Sequence, residues 1–397
     1  MALSPPPLAL YLHFPWCVRK CPYCDFNSYT LHGELPQQAY LDALLIDIKA
    51  QRSQIEGRVI VSLFLGGGTP SLFAPDALAR FLAALRQELD IAPNAEITLE
   101  ANPGTIERGR FADYRAAGIN RVSLGAQSFT PQLLERLGRI HSAGDTRAAV
   151  AELHAAGLHN FNLDLMYALP GQDLAGALAD LRAAIELAPA HISHYQLTME
   201  PGTVFGGRPP AGLPDDELGY QMQQHCQSAL AGAGYAQYEI SAYARAGAQC
   251  AHNLNYWNFG DYLGIGAGAH GKLTEPLSAT VSRTVREREP RRYLAHGFAG
   301  LPATTRVQRA DLPFEFMMNA LRLVDGFEER QFAVRTGLAW QTVEPQVHGL
   351  TERGLLEQSD QPDRRLEMSP RRWRPTELGF RFLNDVITEF LPSRPVV

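Results

Sequence analysis

Tyr11-Leu12-His13-Phe14-Pro15-Trp16-Cys17-Val18-Arg19-Lys20-Cys21-Pro22-Tyr23-Cys24 is the stretch whose reading decides the fold. It holds three of the five cysteines, in CxxxCxxC spacing, directly after the apolar, strand-like run Leu8–Phe14. A loop leaving a strand can turn three thiolates toward one metal centre. Three is an odd number for a disulfide framework and one short of the four ligands of a closed structural zinc site. Soft thiolates suit zinc and iron–sulfur clusters. A cubane cluster on three cysteines keeps one iron open to a small molecule. The alternatives are chance cysteines in a reduced loop, or half of a zinc site. Cys226 and Cys250 stand apart and read as buried, inert thiols.

The rest of the composition bounds the class. At 397 residues the chain predicts a large and a small domain. It is 45% hydrophobic and 20% charged, a globular balance, with a net charge of −6 that gives no basic footprint for nucleic acid. No apolar run is long enough to cross a bilayer, and MALSPPPLAL has neither a basic start nor a long apolar core. Free cysteines without an export signal point to a reducing compartment, with the cytoplasm as the expected location.

Outward from the cysteines, apolar strand-like runs alternate with Ala/Leu-rich helical segments. Strands are expected at Leu8–Phe14, Val59–Leu65, Glu96–Glu100, Arg121–Gly125, Phe161–Tyr167 and His191–Leu197. Six β-then-α units predict a parallel α/β sheet with right-handed crossovers, and in barrel-like versions the chemistry sits at the C-terminal strand ends. Unusual residues recur at those ends. Gly66-Gly67-Gly68-Thr69 follows the second strand, Glu100 ends the third, Gln127 follows the fourth, and Arg139 lies in Leu137-Gly138-Arg139. Asp164 lies within the fifth. Singly, each reads as a strand-end cap; together they read as a site assembled from several loops.

Pro201 to Pro214 reads as a linker or lid, and Tyr235–Tyr243 alternates like a strand. His252-Asn253-Leu254-Asn255-Tyr256-Trp257 follows, within a β extension ending near residue 305. Helices are expected at Leu312–Leu323, Glu328–Thr336, Gln341–Arg353 and Glu377–Phe390, with a two-strand wing around Leu355–Glu357 and Arg372–Arg374. Arg364, Arg365, Arg371, Arg372 and Arg374 read as a solvated wing in an acidic chain. The expected division is therefore 1–200, 201–305 and 306–397.

CxxxCxxC with Tyr23 before its last cysteine resembles the radical S-adenosylmethionine superfamily, and YLHFPWC is more specifically similar to the anaerobic coproporphyrinogen oxidase family. The resemblance covers nearly the whole chain. It implies a partial TIM-like (β/α)6 barrel and a small winged-helix-like C-terminal domain. It also implies a 4Fe-4S cluster on Cys17, Cys21 and Cys24, whose open iron chelates the methionine end of S-adenosylmethionine. Carried over by position, Tyr11 and Tyr23 would flank that cofactor, Gly67, Gly68 and Thr69 would contact it, and Glu100 would bind it. Gln127, Arg139 and Asp164 match positions that contact a second S-adenosylmethionine in the oxidase.

Two features separate the branches of that family. The oxidase branch carries a fourth cysteine two places after the third, and here that place is Phe26. The HNxxYW signature marks an oxidase-like branch described as haem chaperones, where it is linked to haem binding. His252 is the implied haem ligand, since neutral imidazole is a common axial ligand. The resemblance thus implies a haem chaperone rather than an enzyme. Its partners would be haem and a haem-acceptor protein, of which a respiratory-chain protein is one candidate. The alternative is an oxygen-independent coproporphyrinogen III oxidase, decarboxylating propionates by radical chemistry.

Overall fold

The computed structural model describes residue 3 and residues 5–104, 110–276, 278–295, 302–359 and 371–392. In chain order its strands are β1 Leu8–Phe14, the short pair β2 Trp16–Cys17 and β3 Tyr29–Thr30, β4 Ile60–Gly67, β5 Ile91–Ala101, β6 Arg121–Gln127, β7 Phe161–Tyr167 and β8 His191–Gln196. They continue with β9 Ala236–Glu239, β10 Ala242–Ala244, β11 Asp261–Ile265, β12 His270–Glu275, β13 Thr280–Val285, β14 Ala303–Arg306, β15 Phe327–Glu328, β16 Leu356–Ser359 and β17 Arg372–Pro375.

One sheet runs β14-β13-β12-β11-β1-β4-β5-β6-β7-β8-β10-β9. Its middle, from β11 to β8, is parallel throughout. The outer edge of β8 pairs antiparallel with β10 instead of meeting β11, so the parallel array is an open, partial barrel. β11 lies within the region expected as a β extension, but it joins the barrel itself, pairing parallel with β1 across some 250 residues of sequence.

Alternation along each strand sorts the side chains. Leu8, Leu10, Leu12 and Phe14 of β1 are at most 1% exposed and join Leu63, Leu65, Leu99, Val122 and Leu163 in the core under the helices. Those helices are Gln37–Gln51, Pro75–Glu88, Phe111–Ala116, Ala143–Ala155 and Leu174–Glu186, with Asp216–Gly232 after β8. The third, expected from the sequence over Ile106–Ala117, is described from Phe111; residues 105–109 lie outside the described residues. Ser142 and Asp145 close a capping box on Ala143–Ala155, and Asp173 and Asp215 cap the next two, fixing where these helices begin. The opposite face of the strands points into the barrel and is polar.

Helices Leu312–Ala320, Glu329–Thr336 and Glu344–Glu352 pack with the small sheet β15-β17-β16 around Phe316, Phe327, Phe332, Leu350 and Trp373. Phe259 and Val281 enter this second core from the barrel side. The expected terminal helix Glu377–Phe390 is two helices, Glu377–Arg381 and Leu383–Thr388. They break at Phe382, which leaves the helical region at ψ 34°. The break lets Leu383, Val386 and Ile387 face the core while Phe382 stays outside. In the wing, Arg372 pairs with Glu328 and Arg374 with Glu357; Arg364 and Arg365 lie outside the described residues. Among the described residues, no helix is long and apolar enough to cross a membrane.

Two further expectations change. The alternating run Tyr235–Tyr243 is a hairpin, β9 to β10, turning at Ile240–Ser241. HNLNYW lies not on a β extension but on the helix Ala251–Trp257. Seven residues are too few to show a 3.6-residue period against the surrounding strands.

Candidate functional site

The loop that carries Cys17, Cys21 and Cys24 leaves β1 and folds back through backbone bonds. Tyr29 N–H donates to Pro15 O (2.7 Å) and Leu31 N–H to Cys17 O (2.8 Å). Asn27 pins it to the far edge of the barrel, its Nδ2 donating to Ala267 O (3.0 Å) and Arg288 O (2.9 Å). The segment expected as a linker or lid buttresses it. Phe205 N–H donates to Pro22 O (3.0 Å), and its ring packs on Tyr23 with centroids 6.5 Å apart. Held in this way, Cys17, Cys21 and Cys24 line one side of an open cleft of about 1320 Å³ that runs into the barrel. All three are free thiols, and burial pushes those of Cys17 and Cys24 above the usual range. Arg139 Nη1 donates to Cys21 Sγ at 3.6 Å, while its Nη2 bonds Gly125 O (2.7 Å) and Asn102 Oδ1.

The glycine loop does not offer its N–H groups to a ligand. Gly67 N–H donates to Glu100 Oε2 (2.9 Å), Gly68 N–H to Phe14 O (2.6 Å) and Thr69 N–H to Trp16 O (2.8 Å). The loop is therefore stitched to the exit of β1, which positions the cysteines. Glycine is required here by the protein itself. A Cβ on Gly67, whose φ is +110°, would stand 2.5 Å from the His13 ring, and one on Gly68 would stand 2.6 Å from Trp16 O.

Glu100 and Asp164 line the same cleft. Burial first, and Asp164 second, push Glu100 up to about 8, so it is largely protonated at neutral pH. Burial also raises Asp164, although Asn162 Nδ2 (2.7 Å) and Ser123 Oγ (3.2 Å) donate to it. Gln127 ends β6 at φ +66°, an uncommon backbone for a residue with a side chain, and its Oε1 accepts from Tyr195 Oη at 2.8 Å. Thr69 Oγ1 accepts from Asn102 Nδ2 at 2.9 Å. Thus Tyr23, Gly67, Gly68, Glu100, Gln127, Arg139 and Asp164 all line the cleft that the three cysteines line. Tyr11 does not line it; its hydroxyl bonds His13 Nδ1 (3.0 Å) and its ring stacks on Phe64.

Asn102, Arg121, Ser123, Asn162, Tyr195 and Asn253 also line the cleft or bond its liners, and the sequence reading missed them. A signal was present for several: polar residues at every second position of otherwise apolar strands, as in Asn162 and Asp164 of β7.

The helix Ala251–Trp257 closes the N-terminal, floor end of the barrel. Glu96 near the middle of β5 accepts from Ala251 N–H (3.1 Å) and His252 N–H (3.1 Å). His252 Nδ1 bonds Ser62 Oγ (3.2 Å), and its ring lies 5.1 Å from Phe64 and 6.4 Å from Tyr11, centroid to centroid. Burial first, and Arg121 second, lower His252 to about 3, so its imidazole is neutral. Tyr256 and Trp257 sit against each other, beside Tyr262 and Arg322 respectively. The motif is therefore divided between the barrel floor and the C-terminal domain.

The model of the Radical SAM superfamily matches residues 11–183, and that of the HemN C-terminal domain matches residues 307–382. "Heme chaperone HemW" of Escherichia coli (strain K12) is 47% identical over 386 residues, covering 97% of this chain and 98% of that protein. The chain belongs to the HemW family. The protein of the same name from Haemophilus influenzae is 47% identical over 391 residues, with 97% and 98% coverage. The solved coproporphyrinogen III oxidase HemN of Escherichia coli superposes on this HemW-family chain with a TM-score of 0.78 at 21% identity, covering 97% of this chain and 90% of that one. It shows the shared fold. In this chain Phe26 lines the cleft beside the three cysteines, 55% exposed.

Proposed function

We propose that this HemW-family chain is a haem chaperone that carries a 4Fe-4S cluster, S-adenosylmethionine and haem, and delivers the haem to an acceptor protein. The carrying observation is the 47% identity, end to end, with relatives named heme chaperone. The residues of the cleft fit the cluster and the cofactor. Three free thiols share one cleft, with Arg139 placed to offset the negative charge of a thiolate cluster. Among the described residues no three metal-ligating side chains converge as closely as a single ion demands; a cubane spreads its thiolates over three irons. When bound, the cluster supplies one iron free of protein ligands. With the Gly67, Gly68 and Thr69 N–H groups committed, the glycine loop has only carbonyl acceptors to give, which suits the ammonium of an amino acid. Glu100, bonded to that loop, and Asp164 line the same cleft, two carboxyl groups where a cationic cofactor would favour ionisation. Tyr23, Gln127 and Arg139 complete the wall of that site, and Tyr11 acts on it through His13. The proposed domain roles are a cluster-bearing barrel within 1–200, a barrel floor and edge in 201–305, and a closing winged domain in 306–397.

His252 is the proposed haem ligand. Its imidazole is neutral and its Nδ1 bonds Ser62 Oγ, so Nε2 is the nitrogen it would offer to iron. Replacing His252 with Ala is expected to weaken haem binding about tenfold or more, roughly 1.4 kcal/mol, and to shift the Soret band. Iron and sulfide content should stay unchanged. An unaltered haem spectrum and affinity would move the ligand elsewhere. The coproporphyrinogen oxidase reading shares the fold, but Phe26 occupies the place of that branch's fourth cysteine.

A further inference from the structure

At the barrel floor, Arg121 begins β6 with its side chain only 2% exposed, yet it lines the same cleft as the cysteines. Its Nε has no hydrogen-bond partner. The nearest carboxylate oxygen, Glu96 Oε2, is 3.9 Å away. Glu96 is already committed to the helix Ala251–Trp257: Oε1 accepts from His252 N–H and Cys250 Sγ (3.3 Å), and Oε2 from Ala251 N–H. A buried guanidinium is retained where a well-placed anion completes it, and its fork matches a carboxylate. Asn253, in the same floor helix, turns toward the cleft beside it, as do Ser193 and Ser241. This is a polar, cation-bearing floor well below the cluster. The six steps of β6 from Arg121 to Gln127 span ~20 Å. A cofactor whose amino-acid end is held at the cluster therefore has its own carboxylate at the other end of the cavity.

We propose that Arg121 and Asn253 form a carboxylate subsite at the barrel floor, and, resting on the haem reading above, that it takes a propionate of the haem cargo. Arg121 would supply paired N–H donors to the carboxylate, and the Asn253 amide a third. A floor that simply holds water would hydrate Arg121 and make no distinction between an acid and its ester.

The test compares haem with haem dimethyl ester, titrated into the anaerobically reconstituted full chain and followed by the Soret band. Wild type should bind haem at least about tenfold tighter than the ester. Arg121→Met and Asn253→Ala should each narrow that ratio toward one by weakening haem and leaving the ester in place. The wild-type comparison needs no variant, and the half-buried Asn253 supplies a substitution independent of Arg121 folding. Equal affinity of wild type for haem and ester would overturn the subsite while the haem reading stands. Failure of wild type to bind either would overturn both.

Discussion

Anaerobic reconstitution of the Cys21→Ala variant is expected to yield no brown chromophore and close to no bound sulfide, against about four iron and four sulfide per wild-type chain. Cys17, Cys21 and Cys24 are the only cysteines on the cleft, and Cys226 and Cys250 are buried elsewhere, so no thiol can substitute. Loss of the middle ligand also leaves the Arg139 guanidinium, which donates to Cys21 Sγ, facing an apolar methyl group. Folding should persist, because Cys21 contributes to none of the cores. The check is iron and sulfide analysis beside far-UV circular dichroism. Stoichiometric zinc without sulfide in the wild-type protein would restore the zinc reading of the motif.

The second large effect is structural. Gly67→Ala is expected to destabilise the chain by about 2–5 kcal/mol. That figure combines a left-handed backbone cost of about 1–2 kcal/mol with overpacking of about 1–3 kcal/mol. The new Cβ would meet the His13 ring, whose Nδ1 and Nε2 are bonded to Tyr11 Oη and Asn27 O, so the ring cannot swing aside without releasing the cluster loop. A lowered thermal midpoint and poor cluster retention should therefore appear together. Normal stability with a selective loss of S-adenosylmethionine binding would mean instead that the space beside Gly67 belongs to the cofactor.

The parallel strands were legible from the apolar residues they bury under the helices. β1 lies at Leu8–Phe14, as expected from a nearly continuous apolar run, and β7 at Phe161–Tyr167, as expected from apolar residues alternating with Asn162 and Asp164. The parallel pairing of β11 with β1 was not legible. A five-residue strand among glycines has no local signature, and its place is fixed by tertiary bonds: Arg58 and Lys272 both bond the buried Asp261 that begins it. At the site, the cysteines, the glycine loop and the carboxylates could be read because each follows an apolar run. Arg121 and Asn253 could not, since a charged strand start and a short polar helix look like solvent-facing residues until the barrel curls around them. The reason for the glycines was also hidden, because it depends on the His13 ring and the Trp16 carbonyl lying against them.

One reconstituted sample, titrated with haem and then given coproporphyrinogen, separates a haem chaperone from an oxidase. Haem should titrate to about one per chain. The same sample, given coproporphyrinogen, S-adenosylmethionine and a reductant, should release no carbon dioxide from the propionates. Decarboxylation with consumption of S-adenosylmethionine, or the absence of saturable haem binding, would contradict it.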